Sequence, residues 1–352
     1  MESSAGNRVI VHYFTGTGNT ARIVQLLAAG LAQNGYSVKT LPLDKSQNAA
    51  AEVGDFASGL TIFAFPVHGF AIPKVMRDFI GHFPKVAAGS KCVVIALVGE
   101  INAKQTLPGF EGQALNEARR LLNRRGFEVQ ISDAVGHVNN FTQFVSPPSD
   151  AEDAGIDQNA QEKVRQIVTD IVAEKAYRKR CSLGTKLWSA PVGWLFRNIG
   201  RPHLAKLFIA DKNCNSCSRC AISCPVGAIK MIHHRPRWNF SCQACQRCIN
   251  LCPQNAIQTS LARLIISVAA LLVPYWRFAR MLLPADVLSP LGWAGGVVFN
   301  ILCWVIGSLT LLYLLDKILF ALESIPPLQN LMAILFTRKF RRYIQPDFKK
   351  SL

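Results

Sequence analysis

The stretch RVIVHYFTGTGNT, residues 8–20, decides the fold of the N-terminal region of this chain. Arg8–Tyr13 has the apolar character of a buried strand, and Asn19–Gln33 has apolar residues at helical spacing, among them Ile23, Leu27 and Leu31. The glycines between them predict a tight turn. A strand that leads through a glycine turn into an amphipathic helix is typical of the first unit of an α/β sheet.

The same alternation continues along the chain. Further strands are predicted near residues 37–41, 60–65, 91–98 and 128–132, and helices near residues 73–82, 113–125 and 159–177. Five strands separated by helices predict an α/β fold with a doubly wound parallel sheet. Ligands of such sheets bind beyond the carboxyl ends of the strands, where the strand order reverses.

The first turn has the composition of a phosphate-binding loop. Glycines let the backbone approach an anion, the following helix presents unpaired amide groups, and threonine hydroxyls add hydrogen-bond donors. The predicted binding residues of this loop are Thr15, Gly16, Thr17, Gly18, Asn19 and Thr20. No Lys or Arg lies within the loop, so amides and hydroxyls would bind the phosphate.

Two cofactors compete for this loop. The Gly16-x-Gly18-x-x-Ala21 spacing also satisfies the loose dinucleotide pattern, which requires an acidic residue about 20 positions on to hold a ribose. The nearest candidate, Asp44, lies further away and beyond Pro42. The hydroxyl-rich loop therefore favours the mononucleotide FMN over NAD(P), while a turn that binds no ligand stays open.

Eight of the eleven cysteines form two copies of the run C-x2-C-x2-C-x3-C-P, which holds cubane iron–sulfur clusters in bacterial-type ferredoxins. The fourth cysteine of each run crosses to the other cluster in such proteins. One [4Fe-4S] cluster is therefore assigned to Cys214, Cys217, Cys220 and Cys252, and the second to Cys242, Cys245, Cys248 and Cys224. Structural zinc sites prefer separated C-x2-C pairs and suit this spacing poorly.

Residues 13–20 resemble the FMN-phosphate loop of flavodoxins, and the chain over about residues 7–258 is similar to a family of flavodoxin–ferredoxin fusion proteins found largely in anaerobes. The resemblance implies that two further loops flank the flavin ring. Their predicted residues are Pro66, Val67, His68, Gly69 and Phe70 in one loop, and Val98, Gly99 and Glu100 in the other. Phe70 would stack on the flavin ring, with packing on Pro73 as the alternative. His68 or Glu100 would lie near the N1–C2 edge of the ring. Residues 139–141, after the fifth predicted strand, resemble an Asn-aromatic element at the matching point of the fusion family.

Charge is distributed unevenly within the net value of +17. Residues 1–176 hold 16 Lys and Arg against 17 Asp and Glu, and the remainder holds 23 against 5. Because this basic charge flanks apolar stretches, a membrane surface is favoured over nucleic acid as a partner. The N-terminal sequence has no secretory leader pattern, and cluster thiolates fit a reducing compartment.

Four regions are predicted: a flavodoxin-like domain (1–177), a basic aromatic linker (178–210), a ferredoxin domain (211–259) and a hydrophobic tail (260–352). The linker fits three roles: resting on anionic lipid, docking an acidic partner or packing the two domains together. In the tail, residues 291–315 are uncharged and long enough to span a bilayer, and residues 264–276 form a shorter stretch with Pro274. A buried helical hairpin in a soluble protein is the alternative.

The sequence thus predicts a membrane-attached electron carrier with FMN and two [4Fe-4S] clusters, on the cytoplasmic face of the cell membrane. Its redox partner would be a protein or a membrane complex. A third interpretation makes the chain a dedicated subunit of a larger membrane complex. The alternative is an enzyme, a flavin-dependent reductase of a quinone or tetrapyrrole, with His68 and Glu100 as proton donors.

Overall fold

A computed structural model describes residues 7–44, 59–103, 109–282, 292–334 and 337–350. Its N-terminal region is built on a parallel sheet of six strands in the order β2-β1-β3-β4-β5-β6. The strands are β1 Arg8–Tyr13, β2 Ser37–Pro42, β3 Leu60–Pro66, β4 Ser90–Glu100, β5 Phe127–Val138 and β6 Tyr177–Arg178. The order 2-1-3-4-5 is that of the flavodoxin-like fold, so the predicted fold class of this region is confirmed.

Helices cover both faces of the sheet. They are α1 Asn19–Gln33, α2 Lys74–His82, α3 Ala114–Asn123 and α4 Asp150–Val172. α1 and α4 pack on one face through a core that contains Leu27 and Ile167, and α2 and α3 pack on the other against Phe63 and Phe65. The sheet is therefore buried on both sides, as its continuous apolar strands require.

The end of this domain differs from the prediction. The last helix begins at Asp150, nine residues before the predicted start, because Ser149 and Glu152 form a capping box that satisfies the first amides. The helix ends at Val172. Tyr177–Arg178, which includes the predicted last residue of the helix, instead forms a sixth parallel strand that pairs with Ile131 and Ser132. The boundary at residue 177 therefore falls within β6.

The linker folds as helix α5 Leu183–Leu195, a π-helix Phe196–Gly200 and helix α6 Arg201–Lys206. It packs against both domains, which supports the third of its predicted roles. Arg197 donates to Glu117 of α3, while the buried Arg201 donates to the backbone carbonyls of Phe240 and Cys242. The linker thus fastens the cysteine-rich region to the sheet domain.

The cysteine-rich region contains an internal repeat. Its elements are strand β7 Phe208–Ala210, helix α7 Arg219–Ile222, strands β8 Ile229–Ile232 and β9 Arg235–Trp238, helix α8 Arg247–Leu251 and strand β10 Ile257–Thr259. β7 pairs with β10 and β8 with β9, in both cases antiparallel. Positive φ angles recur in three pairs of residues 28 positions apart, the offset that also separates Cys214 from Cys242: Ser216 and Ala244, Ser218 and Gln246, Gly227 and Asn255.

Two apolar helical segments leave the cysteine-rich region and return to it. Helices α9 Leu261–Leu271 and α10 Tyr275–Leu282 are bent by 45° relative to each other at the break that contains Pro274. Helix α11 Gly292–Leu322 packs on both. Among the described residues, α11 is the one helix that alone is long and apolar enough to cross a membrane, over Gly295–Leu322. Of the predicted span 291–315, residue 291 lies outside the described residues.

Buried charges hold the two ends of this hairpin together. Arg263 at the start of α9 pairs with Asp316 and Glu323 at the end of α11, and Lys206 and Arg237 also pair with Asp316. The chain continues through α12 Pro326–Met332 and a short 3₁₀ turn to α13 Pro346–Lys350. We call residues 337–350 the C-terminal strap, because they run back across the other domains.

Candidate functional site

The predicted phosphate loop lies at the start of α1, at the carboxyl end of β1. Gly18 precedes the helix with φ +102°, and no side chain caps the first amides among the described residues. Thr15 Oγ1 accepts from the Gly18 amide at 3.1 Å, and Asn19 Nδ2 donates to the carbonyl of Val138. The uncapped helix start suits a phosphate, whose oxygens accept from backbone N–H groups.

Both predicted ring loops join the phosphate loop around one cavity of about 400 Å³, a volume within the range of small-molecule sites. Twelve of the fourteen predicted cofactor-binding residues line it: Thr15, Gly16, Thr17, Asn19, Thr20, Pro66, Val67, His68, Gly69, Phe70, Val98 and Gly99. Asn139, Asn140 and Phe141 line it as well. The sheet therefore brings together three loops that are separate in the sequence.

The two other predicted residues lie outside the lining. Gly18 faces the C-terminal strap, where an added Cβ atom would lie 2.6 Å from Cβ of Phe348. The buried side chain of Glu100 packs against Gly136 of the neighbouring strand, and burial raises the pKa of its carboxyl group. A contact between Glu100 and a flavin stays a prediction that this side-chain position does not favour.

His68 connects the ring loop to the cysteine-rich region. The pKa of its imidazole is lowered to about 4, first by burial and then by the nearby positive charge of Arg201, while a hydrogen bond with the backbone of Gln243 opposes the shift. The ring is therefore neutral at pH 7. Its Nδ1 atom is buried and has no hydrogen-bond partner among the described residues.

Phe70 lies in the left-handed region, with φ 63°, and lines the cavity. Its ring meets Trp188 of α5 edge-on, at a centroid distance of 4.6 Å, and Phe110 at 5.7 Å. This aromatic cluster includes a residue of the linker.

A second linker residue, Phe196, reaches the ring loop and was not predicted as a site residue. It lines the cavity directly over Gly69, where a Cβ atom would collide with its ring. It also begins the π-helix, an irregularity that often marks functional positions. No local pattern in the linker distinguishes it from Trp188 or Trp194, so only the fold identifies it.

The second cysteine run also lines the cavity, through Ala244, Cys245 and Gln246. Arg247, in the same run, is buried behind the phosphate loop and donates to the carbonyls of Thr15 and Gly16, both at 2.8 Å. It also pairs at 3.4 Å with Asp44, the residue considered above for a ribose. The phosphate loop and this cysteine run thus form one hydrogen-bonded unit.

The C-terminal strap closes the outer side of the phosphate loop. The amide of Gln345 donates to the carbonyl of Thr17 at 2.9 Å, and the ring of Phe348 lies beneath the guanidinium of Arg247. Arg341 pairs with Asp150 and Asp153 of α4, which fixes the strap to the sheet domain. None of these contacts was predicted.

The eight predicted ligand cysteines fall into two neighbouring groups. The pKa of Cys220 is raised to about 12, first by burial and then by the nearby Cys252, Cys214 and Cys217. The pKa of Cys242 is likewise raised to about 12 by burial and by Cys245 and Cys224. Each group thus includes the crossing cysteine that its spacing assigns to it, while Cys248 has neighbours in both groups.

The chemistry of these groups suits a positively charged centre. Burial makes bare thiolates unfavourable, so a cation that binds them would offset the cost. Backbone amides of Ala228, Ala244 and Ala256 donate to Cys224, Cys242 and Cys252 at 3.2–3.4 Å. Within the described ranges, no group of three or more His, Cys, Asp or Glu side chains is arranged around a site for a metal ion. The two clusters therefore stay a prediction.

Solved structures of flavodoxins are similar to the N-terminal half of this chain. It is 15% identical to flavodoxin 1 from Bacillus cereus, with 47% of this chain and 97% of that chain covered and a TM-score of 0.34. It is 17% identical to the Streptococcus pneumonia TIGR4 flavodoxin, with 47% of this chain and 99% of that chain covered and a TM-score of 0.33. It is 14% identical to rubredoxin oxygen:oxidoreductase from the anaerobe Desulfovibrio gigas, with 48% of this chain and 37% of that chain covered and a TM-score of 0.31. No protein-family model matches the sequence, and no curated protein matches it.

Proposed function

We propose that this protein is a membrane-attached electron carrier that joins an FMN site to two [4Fe-4S] clusters on one chain. The observation that carries the proposal is the shared cavity, because Cys245 lines it together with the phosphate loop and both ring loops. A redox centre bound by Cys245 would border a flavin held in the cavity. Flavins exchange electrons singly or in pairs, and each cubane cluster carries one electron.

The residues that would hold FMN have distinct tasks. The amides that follow Gly18 and the hydroxyls of Thr17 and Thr20 would bind the phosphate, and Phe70 and Phe196 would enclose the ring. Asn19 Oδ1 is buried without a partner among the described residues, and a ligand hydroxyl can donate to it. The neutral His68 would add no charge beside the ring.

The exposure of the cysteines supports an order of electron transfer between the cavity and the two cysteine groups. Cys242, Cys248 and Cys224 are buried, and Cys245 of the same group borders the cavity. Cys217, in the other group, is exposed to solvent. Electrons would therefore pass between the cavity and the surface through the inner group first and the outer group second, and a redox partner would approach Cys217.

Membrane attachment is the second part of the proposal. The hairpin of α9, α10 and α11 begins and ends at the ion pairs of Arg263, so both of its ends lie on the same side of any bilayer that it enters. The strap contacts the N-terminal domain through Thr17 and Gln345, which also supports an even number of crossings. The basic charge of the C-terminal half supports the cytoplasmic face.

The proposal is tested by purifying the full-length protein in detergent without oxygen and measuring iron, sulfide and released flavin per chain. We expect about eight irons, about eight sulfides and one FMN. Eight irons without FMN would refute the flavin part, and FMN without iron would refute the cluster part. Recovery of the chain from the soluble fraction, without detergent, would refute membrane attachment.

The alternative of a small-molecule reductase gains no support from its two predicted proton donors. His68 is neutral at pH 7, and Glu100 does not line the cavity. A chain that acts as a subunit of a larger membrane complex would retain other proteins after mild detergent extraction, whereas a free-standing carrier would be recovered alone.

A further inference from the structure

A basic cleft of about 840 Å³ lies on the sheet domain, apart from the flavin cavity. It is lined by Arg119 and Arg120 of α3, Arg178 of β6 and Lys186 of α5. An adjoining cavity shares Arg119 and Arg178 and adds Arg180. Elements from three parts of the sequence thus bring five cations together.

These cations lack compensating negative charge. Within the described residues none of the five forms an ion pair, and the neighbouring Lys179 pairs instead with Glu111. Glu128 is the one carboxylate among the residues that line the two cavities. Like charges this close repel one another, and burial together with Arg178 and Arg180 lowers the pKa of Arg119. An anion in the cleft would relieve this repulsion.

Two of the four guanidinium groups are held in place by the protein. Arg178 Nε donates to the carbonyl of Val129 at 2.7 Å, and Arg119 Nη1 donates to Ser132 Oγ at 3.0 Å. Asn116, which also lines the cleft, has a buried Nδ2 with no partner among the described residues. Fixed guanidinium groups beside an unused amide donor are suited to the several oxygens of a phosphate group.

The wall of the cleft formed by α5 carries an exposed apolar surface. Leu187 lines the cleft and is 71% exposed, and Leu183 and Trp194 of the same helix are 72% and 56% exposed. A helix with exposed leucine and tryptophan beside basic residues is typical of a segment that lies at a lipid interface. These residues favour a ligand that has both an anionic group and an acyl chain.

We propose that this cleft binds the phosphate group of an anionic ligand, supplied either by the headgroup of an anionic phospholipid or by a soluble phosphate ester. The exposed face of α5 favours the phospholipid. The site lies outside the flavin cavity and the cysteine groups, so it does not depend on the function proposed above. It would give the sheet domain its own contact with a membrane surface.

The test uses the full-length protein in a neutral detergent and three probes: dihexanoyl phosphatidylglycerol, dihexanoyl phosphatidylcholine and inorganic pyrophosphate. Calorimetric titration measures the Kd of each. The variant R180Q/K186Q removes two exposed cations whose charged groups form no hydrogen bond within the part of the chain that the structure describes. The control K212Q/K230Q removes the same charge from the cysteine-rich region.

We expect saturable binding of phosphatidylglycerol that R180Q/K186Q weakens about tenfold or more and K212Q/K230Q leaves unchanged, because each charge-assisted hydrogen bond contributes substantially to affinity. Binding of pyrophosphate with the same response to the variants would identify a soluble ester as the source. The proposal is overturned if neither anionic probe binds, if phosphatidylcholine binds equally well, or if both variants respond alike. Pyrophosphate held by the phosphate loop would not respond to R180Q/K186Q, and that result would also overturn it.

Discussion

At the scale of single residues, Phe196 has the most direct consequence for the proposed binding of FMN. It covers Gly69 in the cavity, whereas Trp194, two residues earlier, is exposed to solvent. We expect Phe196→Ala to weaken FMN binding by about tenfold, since loss of an aromatic contact of ~1.4 kcal/mol corresponds to that factor. Trp194→Ala is the matched control and should leave the Kd unchanged. Quenching of flavin fluorescence during titration of the FMN-free protein measures both, and equal effects would contradict the role of Phe196.

Gly18 and Gly81 provide a second contrast at this scale. Gly18 has φ +102° and faces Phe348, whereas a Cβ added to Gly81 in α2 would meet, among the described residues, no atom within 4 Å beyond its chain neighbours and the backbone of its own helix. Gly18→Ala should destabilise the protein by ~1–3 kcal/mol, because a side chain is strained in that conformation. Gly81→Ala should be neutral or stabilising by up to ~1 kcal/mol. Urea unfolding of the two variants measures the difference, and a Gly18→Ala protein as stable as the parent would refute the constraint.

At the scale of elements, the C-terminal strap acts on the site from a distance along the chain. It reaches the phosphate loop through Gln345 and Phe348 and is held to α4 by the ion pairs of Arg341. Removing residues 341–352 should weaken FMN binding by about tenfold, because the loop loses a hydrogen bond and an apolar cover. The Kd for FMN is the measurement, with iron content per chain as the control for folding of the cysteine-rich region. An unchanged Kd would show that the strap only covers the surface.

The ion pairs of Arg341 allow a second test of the strap. We expect Arg341→Gln to produce part of the effect of the truncation, since it breaks the pairs with Asp150 and Asp153 but keeps the apolar contacts. Lys230→Gln, which removes an exposed charge from β8, is the matched control and should have no effect. A response to Lys230→Gln of the same size would mean that net charge, and not the position of the strap, controls binding.

At the scale of the whole molecule, the hairpin of α9, α10 and α11 allows the proposed membrane attachment to be tested. Its ends are joined by Arg263, Asp316 and Glu323, and the strap returns to the sheet domain. The two termini should therefore lie on the same side of the membrane. Reporter domains that are active only in the cytoplasm, fused in turn to each end of the chain, should both be active. Activity at one end alone would rule out the even number of crossings.

The sequence shows how far local signals reach in this protein. Apolar runs and glycine turns predicted the first five strands and the helices between them, because hydrophobic periodicity and turn chemistry act over a few residues. The start of α4 was missed although Ser149 and Glu152 have capping-box spacing, a local signal that was present. The two-residue strand Tyr177–Arg178 has no local sequence signal, because so short a segment shows no periodicity and pairs only where β5 is already in place.

By itself the sequence determined the glycine-rich turn between β1 and α1 and the spacing of the two cysteine runs, and it predicted the ligands that these would bind, because each depends on neighbouring residues. Only the tertiary structure decided what surrounds them. Arg247 and Gly16 are 231 residues apart in the chain, and the linker places Phe196 over Gly69. Contacts of this kind leave no periodic or local trace in a sequence. They exist because burial of the linker, the strap and the cysteine-rich region against one sheet edge brings distant segments together.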